Sequence, residues 1–197
     1  MRKQKVLFLC TQNSARSQMA EGFLRNLAGD RFEVYSAGTS PTDEVHPCAV
    51  EAMEEVGVDI SDQYPKALKT YFGREYFNYL IIVCARSERD CPKAFPGVGV
   101  RFAWIFDDPR GDDVPEEETL ARFREIRDEV EVKIRDWLER PEEELAKLKV
   151  ERERERKERL EVARREADER TQRLAGESEG GALGRHRPPK LASSPAG

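Results

Sequence analysis

The chain has 197 residues with 34 Lys and Arg against 39 Asp and Glu, and residues 141–197 hold 14 of the basic and 13 of the acidic side chains, leaving −6 on the first 140 residues and +1 on the tail. A net-negative front segment argues against electrostatically driven nucleic-acid binding, which needs a basic stripe to neutralise phosphates; any anion site must be local. No run approaches the eighteen or so apolar residues of a membrane span, and Val6-Leu7-Phe8-Leu9 is too short for a signal-peptide core, so the expected compartment is the cytoplasm and no membrane partner is expected.

The apolar run 5–10 reads as a buried strand, and residues 17–27 follow with Met19, Phe23 and Leu27 at helical spacing. Residues 32–36 alternate as a second strand. His46-Pro47 then opens a helix carrying Val50, Met53 and Val56, which Gly57 stops. The most hydrophobic stretch, 79–84, is expected to be a central strand, and 101–106 a fourth strand ending at Asp107-Asp108-Pro109. Leu120, Phe123, Ile126, Val130, Ile134 and Trp137 form an apolar stripe on a long final helix. Strands alternating with helices predict an α/β domain over 1–140: a four-stranded parallel sheet in order 2-1-3-4 with helices on both faces. In that order strands one and three meet at the switch point, where ligands sit beyond the strand carboxyl ends. Cys10, Cys84 and Asp108 are all expected at such ends.

Beyond Pro141, Glu142, Glu143 and Glu144 favour a new helix start. Acid and base then alternate almost without apolar residues, so 141–175 is expected to be a solvated charged helix rather than a heptad coiled coil. The Gly, Ser and Pro content of 176–197 predicts disorder. No partner for the tail can be read from it.

Four cysteines in a reducing compartment serve packing, catalysis or metal binding more often than structural disulfides. No metal site is expected: there is no CxxC, and neither His46 nor His186 stands at a zinc spacing from a cysteine. The segment CTQNSAR places Thr11, Gln12, Asn13, Ser14 and Ala15 between a strand-end Cys10 and an Arg16 entering a helix. Such a loop can curl its backbone amides into a nest around one anion, with the Arg16 fork on two of its oxygens. The same positive ends are expected to lower the Cys10 pKa, making a nucleophile, with Ser17 donating to the thiolate. Asn13 suits a left-handed position in so tight a loop. The bland alternative is that Cys10 is a small buried residue closing a strand.

CTQNSARSQMAEG resembles the active-site loop of the low-molecular-weight protein tyrosine phosphatase superfamily, and within it the thioredoxin-coupled arsenate reductases. SAGTSP, HPCAVEAMEEVGVDIS and FDDP extend the resemblance over roughly residues 4–138. It implies a flavodoxin-like fold, with Cys10 as nucleophile, Arg16 as oxyanion ligand and Asp108 as the acidic partner. Two departures stand out: the family usually has glycine at Gln12 and cysteine at Ala15, so a crowded loop and no intraloop disulfide are expected. Tyrosine phosphatases of the superfamily usually follow Asp-Pro with tyrosine, where this chain has Arg110. Some arsenate reductases bind potassium beside the loop through an asparagine, a glutamate and an aspartate. Asn13 and Glu21 match the first two, but Lys66 stands at the third, so no potassium requirement is expected.

A thiolate attacking arsenate gives a sulfur-bound arsenic(V) adduct, and a second thiol must attack Cys10 so that arsenic leaves as arsenite. Phosphorus(V) cannot accept those electrons, so phosphate and sulfate would only compete. Cys84, on the strand expected beside that of Cys10, is the natural second thiol, since neighbouring strands lie about 4.8 Å apart. Cys91 is seven residues further on, about 10.5 Å along a helix, whereas a disulfide needs α-carbons within about 7 Å. Segment 85–90 is therefore expected to refold when the two join. By resemblance, thioredoxin is the external reductant and no cofactor is bound. Individually, Cys84 reads as a core cysteine and Cys91 as a loop thiol; with Cys10 they describe a relay. Cys48 is expected only to pack. The alternatives are a tyrosine phosphatase using Cys10, Arg16 and Asp108 alone, and a non-enzymatic oxyanion sensor.

Overall fold

The computed structural model describes residues 2–71, 73–91, 97–110 and 116–180. Its elements are β1 (Gln4–Cys10), α1 (Arg16–Ala28), β2 (Phe32–Gly38), α2 (Pro47–Glu54), a single 3-10 turn (Leu68–Thr70), β3 (Phe77–Ile82), α3 (Ala85–Asp90), β4 (Val98–Ala103), α4 (Glu116–Glu139) and α5 (Pro141–Gly180). All strand pairings are parallel and the order is β2-β1-β3-β4, the α/β arrangement expected. Val6 to Leu9 are fully buried, as the central strand of a sheet covered on both sides requires.

The pleat sorts the core into two layers. Leu7, Leu9, Leu80 and Ile82 point to one face, where they cluster with Phe77 from the start of β3, Leu68 of the 3-10 turn and Cys91 at the end of α3. On the other face Phe8 lies against Trp104, and Trp104, Phe102, Tyr79 and Phe32 all pack on Trp137 of α4. Helix α4 also packs against α1 and α2, burying Phe123, Ile126, Val130, Ile134 and Trp137, the expected stripe. Burying each such side chain contributes about 1.5–3 kcal/mol.

Several boundaries move. Strand β3 starts at Phe77 and ends at Ile82, two residues earlier than the expected 79–84, and β4 is Val98–Ala103 rather than 101–106. Hydrogen bonds from Val83 to Leu9 and from Phe106 to Val83 carry the pairing past these ends in irregular form, so the apolar run outlasts the regular strand. Cys84 is consequently the N-cap of α3, not a strand residue. In α2 the buried face is Ala49, Ala52 and Met53; Val56 is 40% exposed because the helix ends at Glu54, two residues before it.

The chain divides into two compact units, Met1–Glu144 and Leu145–Gly197. Helix α5 carries exposed i,i+4 pairs such as Arg154–Glu158 and Arg165–Glu169. It runs on to Gly180, past the expected limit at 175, since extending a formed helix gains one hydrogen bond per residue ordered. Residues 181–197, expected to be disordered, lie outside the described residues.

Candidate active site

The loop after β1 is shaped by where its carbonyls go. Cys10 O accepts from Thr39 N (3.1 Å), Thr11 O from Ser40 N (2.8 Å), Gln12 O from Thr42 N (3.0 Å) and Ser14 O from His46 N (2.8 Å). Asn13 O accepts from Gln18 Nε2 (2.8 Å), and Ala15 O from the Gln18 and Met19 amides of α1. Every carbonyl from 10 to 15 thus has a partner outside the loop. Across a trans peptide the following N–H points the opposite way, so the amides turn inward as an anion nest. The Asn13 N–H already lies 2.9 Å from Cys10 Sγ.

Asn13 sits at φ +53° and is fully buried, the left-handed position expected of it. Its Nδ2 donates to Ser17 Oγ and Ser36 Oγ (2.8 Å each), and its Oδ1 accepts from the Lys66 amide (2.7 Å). Segment 39–46 can lie along the loop only because β2 ends in Gly38, where a Cβ would sit 2.6 Å from Thr11 O. The clamp leaves little trace in the sequence: it is built mainly of backbone bonds, with a long one from Thr42 Oγ1 to Gln12 O (3.4 Å) and the missing side chain of Gly38 as its side-chain signals. Gln12 lines the cavity, and its Oε1 is buried with no partner among the described residues, yet its backbone keeps the loop closed.

A cavity of about 600 Å³ opens over the loop, lined by Cys10, Arg16, Cys84, Arg86, Asp108 and Arg110 among others. Cys10 Sγ is 2.9 Å from Ser17 Oγ. Burial pushes the Cys10 thiol above the ordinary cysteine value; Ser17, the Asn13 amide and Arg16 pull it down without cancelling that effect. The expectation of a lowered pKa is therefore corrected: desolvation outweighs the positive ends.

Cys84 behaves oppositely. Its sulfur is 3.2 Å from Ser87 Oγ, 3.4 Å from Ser87 N and 3.4 Å from Thr11 Oγ1. Burial raises its pKa, but the Ser87 hydroxyl, the Thr11 hydroxyl, the Ser87 amide and Arg16 together bring it below the ordinary value. Cys91 is 3% exposed inside the cluster of Leu7, Leu9, Leu80 and Ile82, and burial raises its pKa. It is a core thiol, not the loop thiol that its position in the sequence suggested. The cysteines are thiols, and Cys48 is partly buried at the start of α2.

Arg16 donates to Asp108 Oδ2 (2.7 Å) and to Phe106 O (3.1 Å), and Arg110 reaches Asp108 through its amide and guanidinium (3.2–3.4 Å). Burial raises the Asp108 pKa, but Arg16 and Arg110 outweigh it and hold the carboxyl below its ordinary range. Asp107 is exposed at the cavity edge. His46 caps α2 by accepting from Cys48 N and stacks on Phe123, a structural role. Behind the loop, Lys66 Nζ pairs with Glu21 (3.2 Å) and donates to Tyr64 O (2.9 Å), while Ser36 donates to Glu21. The ammonium thus occupies the carboxylate side of the asparagine and glutamate set. The structure brings all five expected catalytic side chains except Cys91 to one cavity.

This fold and loop define a phosphatase-type oxyanion site, and the sequence matches the low molecular weight phosphotyrosine protein phosphatase family over residues 5–152; the chain belongs to that family. Its relatives include arsenate reductases. It is 40% identical over 139 residues to the arsenate reductase of Halalkalibacterium halodurans, covering 71% of this chain and 98% of the relative. Among solved structures, an arsenate reductase in its oxidized state superimposes with TM-score 0.57 at 32% identity, covering 68% of this chain and 95% of the other. The thioredoxin-dependent arsenate reductase of Corynebacterium glutamicum does so with TM-score 0.53 at 32% identity, covering 70% and 61%.

Proposed function

We propose that this chain reduces arsenate to arsenite with electrons from thioredoxin. The observation that carries this reading is that Cys10 and Cys84 open onto one cavity with Arg16, and that Thr11, the residue after Cys10, reaches the Cys84 sulfur. Hydrolysis of an ester has no use for a second thiol there.

Hydrogen arsenate is held by the loop amides of residues 11–17 and the Arg16 fork. The dianion is itself a base, so the Cys10 proton leaves on an arsenate oxygen as water while sulfur bonds to arsenic(V). The Cys84 thiolate then attacks Cys10 Sγ: the S–S bond forms, the S–As bond breaks, and arsenic departs with that electron pair as arsenite, taking up protons. Cys91 attacks Cys84 and expels the Cys10 thiolate. A thioredoxin dithiol returns two electrons to the Cys84–Cys91 disulfide. Since α3 separates the last two sulfurs, it must unwind and draw Cys91 from the core. Phosphate and sulfate would fill the loop and inhibit. Asp108 pairs with Arg16 and yields it to the oxyanion. Its carboxyl, kept ionised between two guanidinium groups, is poorly suited to protonate an ester leaving group.

We place the enzyme in the cytoplasm, where the thioredoxin cycle operates; among the described residues no helix is long and apolar enough to cross a membrane. The test is arsenate-dependent NADPH oxidation in the presence of thioredoxin and its reductase, beside hydrolysis of an aryl phosphate. Wild type should consume NADPH steadily, and Cys10→Ser should not. Cys91→Ala should release arsenite once and stop; this variant is preferred to Cys91→Ser because a hydroxyl buried without a partner costs about 1–3 kcal/mol. Ester hydrolysis without NADPH consumption would replace reduction by phosphatase chemistry. Arsenate binding without either activity would leave an oxyanion sensor.

A further inference from the structure

Ser87 is fully buried in the middle of α3, away from the oxyanion loop in sequence, yet both its polar groups converge on the Cys84 sulfur. The hydroxyl accepts from the Cys84 thiol at 3.2 Å, a bond that must reverse when the thiol ionises, and the amide donates to Sγ at 3.4 Å as the helix cap. The same hydroxyl is 3.2 Å from Thr11 Oγ1, which is itself 3.4 Å from Sγ. Two hydroxyls and an amide therefore form a closed set around one sulfur, joining the second thiol to the loop of the first.

We propose, resting on the arsenate-reduction reading, that Ser87 is a further catalytic residue: it holds Cys84 as the attacking thiolate and releases that sulfur once it enters a disulfide, which frees α3 to unwind. A thiolate is a strong acceptor for an O–H and an N–H, and such charge-assisted bonds are the strong ones. The lowered Cys84 pKa agrees with this. When Cys84 Sγ bonds to Cys10 Sγ and arsenic departs with the S–As electron pair, the sulfur becomes a neutral disulfide atom and a weak acceptor. Helix α3, six residues long, then loses its cap at the moment when Cys91 must reach Cys84. One hydroxyl thus serves both the attack and the handover. Ser87 changes no oxidation state itself; the two electrons come from the Cys10 and Cys84 sulfurs and are restored by the external dithiol.

The test is iodoacetamide alkylation of the reduced full-length chain over the thiol titration range, resolved residue by residue by mass spectrometry. In wild type the Cys84 midpoint should lie below those of Cys10 and Cys91. Ser87→Ala should raise the Cys84 midpoint by about one pH unit, slowing its alkylation at neutral pH about tenfold, the worth of one hydrogen bond to a charged acceptor. The Cys10 midpoint should stay, and Ser87→Thr should restore that of Cys84. An unmoved Cys84 midpoint in Ser87→Ala overturns the proposal. So does a wild-type Cys84 midpoint at or above the other two, a result that stands even if the alanine variant does not fold. Amide exchange at 85–90 should quicken when Cys91→Ala is trapped as the Cys10–Cys84 disulfide; unchanged protection there contradicts the release. Arsenite release by wild type is read in parallel: its absence counts against the reductase reading, whereas an unmoved midpoint counts against Ser87.

Discussion

At the scale of single residues the site is a contest between burial and hydrogen bonding, and Cys10 and Cys84 fall on opposite sides of it. Burial pushes the more enclosed Cys10 thiol up, whereas the hydroxyls of Ser87 and Thr11, the Ser87 amide and Arg16 together bring Cys84 down. Asp108 shows the same balance with a pH consequence. Its folded pKa is depressed, so its pairing with Arg16 and Arg110 contributes stability above the ordinary carboxylate value and loses it as pH falls through the lowered one. Asp108→Asn should therefore be less stable than wild type at neutral pH, and the difference in urea midpoint should close below about pH 4; a gap that persists in acid would deny the pairing. Lys66 and Glu21 are nearly buried, with side chains 11% and 5% exposed. Lys66→Met leaves Glu21 with Arg25 and Ser36 alone and should lower stability by about 1.5–3 kcal/mol, the worth of one hydrogen bond to a charged group. Potassium should recover part of that loss in the variant and none in wild type; a potassium effect on wild type would show that the ammonium does not fill the position. Cys10, Asn13, Arg16 and Ser17 were legible from spacing alone because the loop is continuous in sequence. Ser87 was not, since its contact with the Cys84 sulfur depends on which way α3 turns after Cys84.

Among the elements, the sheet order and the faces of α1 and α4 could be read ahead because buried parallel strands and an apolar stripe leave strong periodic signals. The ends could not. Val83 and Phe106 stay hydrogen-bonded past the regular strands, so apolar runs overstate β3 and β4, and Cys84 moves from a strand to a helix cap. The clamp of 39–46 on the loop was invisible for the complementary reason: its bonds are between main chains. Gly38→Ala tests it. A methyl 2.6 Å from Thr11 O must push the loop, and displacement of about 1 Å at a reacting group lowers kcat/KM on the order of 100-fold. Thermal stability should fall far less than activity; unimpaired activity would remove the clamp from the design of the site. For α3, amide exchange should be slow in the reduced chain and fast once Cys84 and Cys91 are joined, and equal protection in both forms would contradict unwinding.

Across the whole molecule, the family match covers residues 5–152 and the site lies within the first 110, while the ion pairs of α5 among the described residues are exposed and worth about 0.3–0.5 kcal/mol each. Ending the chain after Glu144 should leave arsenate-dependent NADPH oxidation within about twofold of wild type, since each exposed pair lost is worth less than a factor of three; loss of activity would give the tail a part in the cycle. The proposed relay requires the front unit to hold together while one of its core thiols, Cys91, leaves the cluster of Leu7, Leu9, Leu80 and Ile82. That demand makes the sulfur chemistry directly observable. A single exposure of the reduced protein to arsenate without thioredoxin, followed by arsenite determination and disulfide mapping, should yield one equivalent of arsenite and a Cys84–Cys91 bridge in wild type, and no arsenite in Cys84→Ala. Arsenite formed by Cys84→Ala, or a wild-type protein still fully reduced after arsenite release, would contradict the three-thiol relay.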